Sequence, residues 1–470
     1  MSSPFRPKRV LWITTDHQRW DCVGANGNPL IRTPVLDRLA AGGVSFDNLF
    51  VQSPLCMPSR ASFMTGLYPS QTGVTCNGPE LPQQGVLSCA DMFAAAHWKT
   101  AQIGKLHFQC HEDHDLSLQS RHPYGFQYFC PSEEPGCYDD AYMIWLRTEH
   151  PEYVRTMKVG RPSQGGRAED MNCVDAPAEV SHAGFCANQT MAYLRRHGDG
   201  AFIHMGIYAP HPPLNPPQDI FEPYRGAEMP QPFSCDEEIL GACEPVRSAM
   251  QKWKKTHSPE WYLEFRRYFY AMCTMLDGQI GRVIKQLEDA GELDDTLILV
   301  HSDHGDMAGD HHLISKGHVT MYPEVLRVPA IIHWPKGIPG GKRVTGLVEA
   351  LDLLPTLGDL CGAPMPRYLP GRSLAAGLRA GNTQSSRQDV YAQYGRPGDA
   401  LMGYVRTAEH SLVRYAPDKE MLFNLKDDPH EFRNIAADAS HKGPLAEMRD
   451  RLLTRSLEAC ATRLQAHRSY

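Results

Sequence analysis

Two stretches, VLWITTDHQRW (residues 10–20) and TLILVHSDHGD (residues 296–306), each run through apolar residues straight into an aspartate. A short, β-branched apolar run that ends in a carboxylate reads as a strand buried on both faces, with its C-terminal end at a polar site. Working outward from residues 10–14, Thr33 caps a helix that Pro34 opens and that stops near Gly42-Gly43. Further strands are expected at 44–51, 100–104, 202–208, 296–301 and 330–333, with helices at 61–67, 88–97, 179–196 and 260–290 between them. That alternation predicts an α/β fold with a large, mostly parallel sheet sandwiched by helices. After about residue 375 the pattern changes to short antiparallel strands at 390–394, 404–407, 412–415 and 421–425 and a helix over 443–463. The chain therefore reads as an α/β domain over 1–375 and a small α+β C-terminal subdomain over 376–470. The stretches 108–172 and 210–243, rich in His, Tyr and Pro, read as irregular segments near the site.

Composition narrows the function. Of 470 residues, 42% are hydrophobic and 21% charged, which describes a globular chain. Lysine and arginine number 47 against 54 acids, so 47 − 54 = −7, and no basic stripe is present; a nucleic-acid binder is excluded. No apolar stretch is long enough to span a membrane. The N-terminal MSSPFRPKRVLWITTD has too short an apolar run for a signal peptide, so a cytoplasmic location is expected. The 14 cysteines are scattered without a CxxC pair, which suits small buried side chains better than a disulfide framework.

In open parallel sheets the loops at the carboxyl ends of the strands converge on one crevice. Here those loops carry Asp16, Lys105 with His107, His211, and Asp303 with His304. Singly, each is a helix cap, a turn former or a hydrogen-bonded histidine; together they mark a site. Asp16, Asp303 and His304 suit a divalent cation: mostly oxygen ligands favour Ca²⁺, Mg²⁺ or Mn²⁺, and the imidazole tilts the set toward manganese. A metal-buffering tract over 303–318 is the rival reading, but such a tract needs no buried strand before it. CMPSR (56–60) has its own logic. Cys56 precedes a helix whose Pro58 lies in the first turn, so unpaired N–H groups face an anion there and Arg60 adds a planar cation. A thiol nucleophile would also be activated at that position, which keeps a Cys-His hydrolase open.

CMPSRASFMTG (56–66) resembles the sulfatase signature, in which the cysteine of C-x-P-S-R is converted to Cα-formylglycine. ITTDHQRWD (13–21), TPVLDRLAAGG (33–43), GKLHF (104–108), APHPP (209–213), SDHGD (302–306), RVPAIIHWP (327–335) and PHEFRN (429–434) resemble sulfatase blocks in sulfatase order. The resemblance implies an alkaline-phosphatase-like fold and a sulfuric-ester hydrolase. It implies one divalent cation, Ca²⁺ first and Mn²⁺ second, on Asp16, Asp303, His304 and the modified residue 56. Arg60 would fix the formylglycine, and Lys105, His107, His211 and Lys316 would surround the sulfate. A hydrated aldehyde supplies one hydroxyl to attack sulfur and a second to expel the sulfate, with His211 and Lys316 as proton donors to the alcohol and His107 as the base.

Two departures stand out: Asp16-His17 where many sulfatases have paired aspartates, and Asp303-His304 where many have Asp-Asn. Both resemble the branch of choline sulfatases and phosphonate monoester hydrolases. So does Asn77, 77 − 56 = 21 positions after the cysteine and expected on the substrate side. A metal-touching and a supporting role remain open for His17, and Gln18 is its alternative. The expected partners are a small-molecule or carbohydrate sulfate ester and a formylglycine-generating maturation enzyme. The C-terminal helix suits a homo-oligomer or core packing alike. A phosphonate monoester or phosphodiester hydrolase at the same site is the nearest rival, and an inactive sulfate-binding relative a more distant one.

Overall fold

In the segment Arg9–Asp16, β1, every side chain is buried, and successive residues divide between two cores. Val10 and Trp12 point into one hydrophobic cluster, Leu11 and Ile13 into the other. This is the period-two geometry of a strand covered on both faces, and each such Leu or Ile contributes about 1.5–3 kcal/mol on burial. The computed structural model describes residues 5–110, 121–136, 138–157, 170–316, 320–395 and 401–465; parts of the expected irregular stretch 108–172 thus lie outside it.

From β1 the chain passes through α1 (Pro34–Gly42), β2 (Val44–Phe50), α2 (Cys56–Thr65), β3 (Lys99–Gly104), β4 (Tyr128–Pro131), α3 (Ala141–Glu149), α4 (His182–Arg196) and β5 (Ala201–Pro210). There follow α5 (Val246–Thr256), α6 (Pro259–Asp289), β6 (Thr296–Ser302), β7 (Arg327–Val328), β8 (Ala330–His333), β9 (Lys342–Glu349) and α7 (Leu353–Cys361). Nine strands form one sheet in the order β4-β3-β5-β1-β6-β8-β2-β7, with β9 beside β2. The run β4 to β6 is parallel throughout; β8 turns antiparallel to both β6 and β2. Helices α4 and α6 cover one face, the latter through Phe265, Phe269, Leu276 and Ile280. Helices α2 and α7 cover the other, through Phe63, Met64, Leu354 and Leu357. The expected α/β sandwich is present.

Beyond it, β10 (Val390–Tyr394), β11 (Met402–Arg406), β12 (His410–Tyr415) and β13 (Lys419–Asn424) form an antiparallel sheet, followed by α8 (Lys442–Gln465). Its inner face joins the main core: Tyr404 stacks on Phe50 at a centroid distance of 6.5 Å, and Tyr322 lies 6.4 Å from Phe423. No helix among the described residues is long and apolar enough to cross a membrane.

β3 and β5 approach unusually closely above the site. A Cβ on Gly206 would lie 1.9 Å from the Lys105 carbonyl oxygen, and one on Gly104, at φ 82°, 2.1 Å from the Gly206 carbonyl oxygen. Only paired glycines let the two strands deliver Lys105 beside β1.

Candidate active site

Asp16 ends β1, Lys105 follows β3, and Asp303 follows β6, so parallel pairing alone brings them together at the carboxyl edge. The two aspartates share one design. Asp16 gives its Oδ2 to the Lys105 ammonium at 2.6 Å, and Asp303 gives its Oδ2 to Arg60 Nε at 2.6 Å. Each then turns Oδ1 toward His304 Nε2, at 3.3 Å from Asp16 and 3.7 Å from Asp303. His17 Nε2 joins the cluster 3.9 Å from Asp16 Oδ1. All these groups are fully buried. Burial raises the Asp16 carboxyl, but Lys105 and Lys316 overcome it and hold the group well below the usual range.

Both imidazoles have their tautomers set from behind. His17 Nδ1 bonds Asp306 Oδ2 at 2.7 Å, and His304 Nδ1 bonds the Gly305 carbonyl at 2.8 Å, which turns each Nε2 toward the centre. Those two nitrogens and Asp16 Oδ1 are buried without hydrogen-bond partners. Burial and the nearby Lys316 and His304 hold His17 far below the ordinary imidazole value. Burial lowers His304, but the Asp303 carboxylate, with Asp16 behind it, raises it above the ordinary imidazole value. Imidazole nitrogens beside carboxylate oxygens, 3.3–3.9 Å apart, are the donor set and spacing of a cation site. Asp16, His17 and His304 are the group among the described residues able to hold an ion. His17, left open by the sequence, thus sits in the cluster, while Asp303 is shared with Arg60.

Cys56 is the first residue of α2, so the helix begins at the cysteine rather than after it. Leu55 is extended at the N-cap and offers no side-chain cap. Asn77 supplies one: its Oδ1 accepts from the Met57 N–H at 3.1 Å while its Nδ2 donates to Cys56 Sγ at 3.3 Å. Lys316 Nζ donates to the same sulfur at 3.2 Å, and His107 hydrogen-bonds it as well. Burial raises the thiol, but Lys316, His107 and Lys105 together bring it well below its usual value. On the next turn Ser59 Oγ donates to the Asp303 carbonyl at 2.5 Å and Arg60 Nη1 to the Lys105 carbonyl at 3.0 Å, which locks α2 to both strand ends. His211 stands across the centre, its ring 4.3 Å from His17 and 4.5 Å from Tyr208, with Nδ1 on the Pro212 carbonyl at 2.6 Å. The structure therefore brings Asp16, Cys56, Arg60, Asn77, Lys105, His107, His211, Asp303, His304 and Lys316 around one point.

Sequence reasoning passed over Asp306, whose partner His17 lies 289 positions away, and over Glu134, which the unread strand β4 carries to Tyr208 Oη at 3.2 Å. It also passed over what stiffens the loop from Asp303 to Lys316. There His311, at φ 56°, is clamped by Glu238 at 2.6 Å and Glu324 at 3.6 Å. Burial lowers this imidazole, yet the two carboxylates raise it to about 10. A raised pKa stabilises fully below about 6.5, and the gain fades as pH rises toward 10. Urea midpoints of wild type and His311→Gln are therefore expected to converge between pH 6.5 and 10; parallel profiles would remove the clamp from the account.

Comparison with known proteins agrees with this geometry. The family profile described as Sulfatase matches residues 8–363. The chain belongs to the sulfatase family. A second profile, for the C-terminal part of N-sulphoglucosamine sulphohydrolase, matches residues 309–458 of this sulfatase. Among curated relatives it is 27% identical to an arylsulfatase of Clostridium perfringens, covering 96% of this chain and 95% of the relative. It is 29% identical to the choline-sulfatase of Rhizobium meliloti, covering 88% and 79%. Among solved structures, the phosphonate monoester hydrolase of Silicibacter pomeroyi superposes with a TM-score of 0.82 at 26% identity, covering 96% of both chains.

Proposed function

We propose that this sulfatase hydrolyses a sulfate ester of a small molecule or carbohydrate at the centre around residue 56. The observation that carries the reading is the split pair of aspartates, each held by a cation of the chain and converging with the His17 and His304 imidazoles beside Cys56. Asp16, His17, His304 and Oδ1 of Asp303, which also accepts the His17 backbone N–H at 3.4 Å, would hold a divalent cation, which would supply Lewis-acid activation of an oxygen nucleophile. Two imidazoles rather than one shift the choice of ion from Ca²⁺ toward Mn²⁺. Conversion of Cys56 to formylglycine by a maturation enzyme supplies an aldehyde hydrate in place of the sulfur, with one hydroxyl for attack and one for release.

The remaining chemistry is done by the chain's own side chains. Lys105, Lys316 and the Met57 end of α2 bring positive charge to the sulfate oxygens. Asn77 holds the side chain of residue 56 at the helix start. His107 is positioned to take a proton from it. His211 already spends its Nδ1 proton on the Pro212 carbonyl, and burial with Lys316 keeps it well below the usual imidazole range. The resident proton source for the departing alcohol is therefore the Lys316 ammonium, which in the unconverted chain Cys56 and Asp16 keep above the ordinary lysine value against the effect of burial.

Lys316→Ala is expected to lower kcat on an alkyl sulfate by about 10²–10⁴, the range of general acid catalysis. On nitrophenyl sulfate, whose leaving group needs no proton, only the charge that Lys316 brings to the sulfate oxygens is lost, so the decrease should be smaller. Equal losses on both would remove the proton donor from the reading. The likeness to a phosphonate monoester hydrolase favours one rival, hydrolysis of phosphonate esters with the same residues. A kcat/KM on phenyl phosphonate esters well above that on any aryl, carbohydrate or choline sulfate would establish the rival instead.

A further inference from the structure

A second cleft of about 310 Å³ opens at the same edge of the sheet, and none of Cys56, Lys105, His107, His211 or Lys316 lines it. Its walls come from the loop after β1, the segment leading into β7, and the C-terminal stretch at Pro429-His430. Arg327 begins β7 as the strand partner of Phe50, and the guanidinium of Arg406 on β11 lies over the Phe50 ring at 5.6 Å.

The charges of the cleft are almost all spoken for. Arg19 pairs with Asp21 at 2.8 Å and with Asp310 at 2.7 Å, and Arg406 pairs with Glu431 at 2.5 Å. Arg327 is the exception. Among the described residues it makes no ion pair, and its Nε is buried without an acceptor while the guanidinium lies over Trp20 at 4.2 Å. Glu324, three residues earlier on the same segment, is paired with His311 at 3.6 Å and has capacity left to accept a hydroxyl. Burial lowers the pKa of Arg327, and Glu324 attracts it only from beyond ion-pairing distance. A native interior rarely leaves a buried guanidinium donor unmade unless something supplies its partner.

We infer that this cleft binds a small hydroxylated carboxylate, a sugar acid, with Arg327 gripping the carboxylate and Glu324 accepting a hydroxyl. The planar guanidinium matches a carboxylate edge. A second wall carboxylate, Asp21, disfavours a dianion such as sulfate or phosphate and accepts further hydroxyls. The rings of Phe233 and Pro429 suit the C–H faces of a sugar, and the volume is at the low end for small-molecule pockets. This binding does not depend on what the centre at residue 56 hydrolyses.

Titration calorimetry with sodium glucuronate tests it without turnover. Wild type and Cys56→Ala are expected to bind one equivalent alike, Arg327→Ala at least about tenfold more weakly, and uncharged glucose not at all. Should Arg327→Ala fail to fold, Glu324→Gln reports on the neighbouring carboxylate and should weaken binding likewise. Tighter binding of a glucuronate-terminated disaccharide would identify a saccharide chain end as the natural source, and equal binding the free acid. No binding to wild type, unchanged binding in folded Arg327→Ala, or binding that Cys56→Ala abolishes would overturn the proposal.

Discussion

Asp16→Asn is expected to empty the cation site and to lower kcat/KM by about a thousandfold or more. Asparagine keeps the shape of the side chain but removes the charge that Lys105 holds at 2.6 Å and that His304 and His17 face. Loss of Lewis-acid stabilisation costs several kcal/mol in the transition state, and each 1.36 kcal/mol is a factor of ten. Metal content separates this from simple misfolding. Purified wild type should carry about one divalent ion per chain by elemental analysis, and the variant, with an unchanged circular dichroism spectrum, almost none. A variant that retains the ion would place the cation elsewhere.

Arg60→Ala is the substitution with the largest expected effect on folding. Arg60 is fully buried, pairs with Asp303 at 2.6 Å and donates to the carbonyl of Lys105, so it joins α2 to the ends of β3 and β6. Removing it strands a buried carboxylate, at a cost of about 3–5 kcal/mol. Urea denaturation should read that loss directly. Asp303→Asn combined with Arg60→Ala should recover part of it, because the stranded charge is then gone. A double variant as unstable as the sum of the singles would mean that Arg60 acts by packing alone.

The parallel core was legible because β1, β5 and β6 are apolar on both faces and flanked by helices with their own caps and stops. The strands that escaped notice lacked that signal. β4 is four residues at an edge, three of them half-exposed, and β9 begins with exposed Lys342 and contains Gly346. Helix α7 was hidden because LLPTLGDLC carries a proline and a glycine inside it. At the site, strand-end positions pointed to Asp16, Lys105 and Asp303 through the sheet rule alone. Lys316 and Asn77 rested on resemblance, since no local pattern reveals that a loop lysine and a distant amide meet the same sulfur. His17 could not be assigned, because its orientation is set by Asp306, a partner that only the folded loop supplies.

The central claim is that residue 56 acts as an oxidised side chain, and peptide mass spectrometry tests it most directly. In protein co-expressed with a formylglycine-generating enzyme and active on an aryl sulfate, the peptide ending at Arg60 should have lost H₂S and gained one oxygen relative to the encoded cysteine. It should also react with an aldehyde-specific hydrazide. An intact thiol at Cys56 in fully active protein would contradict the account.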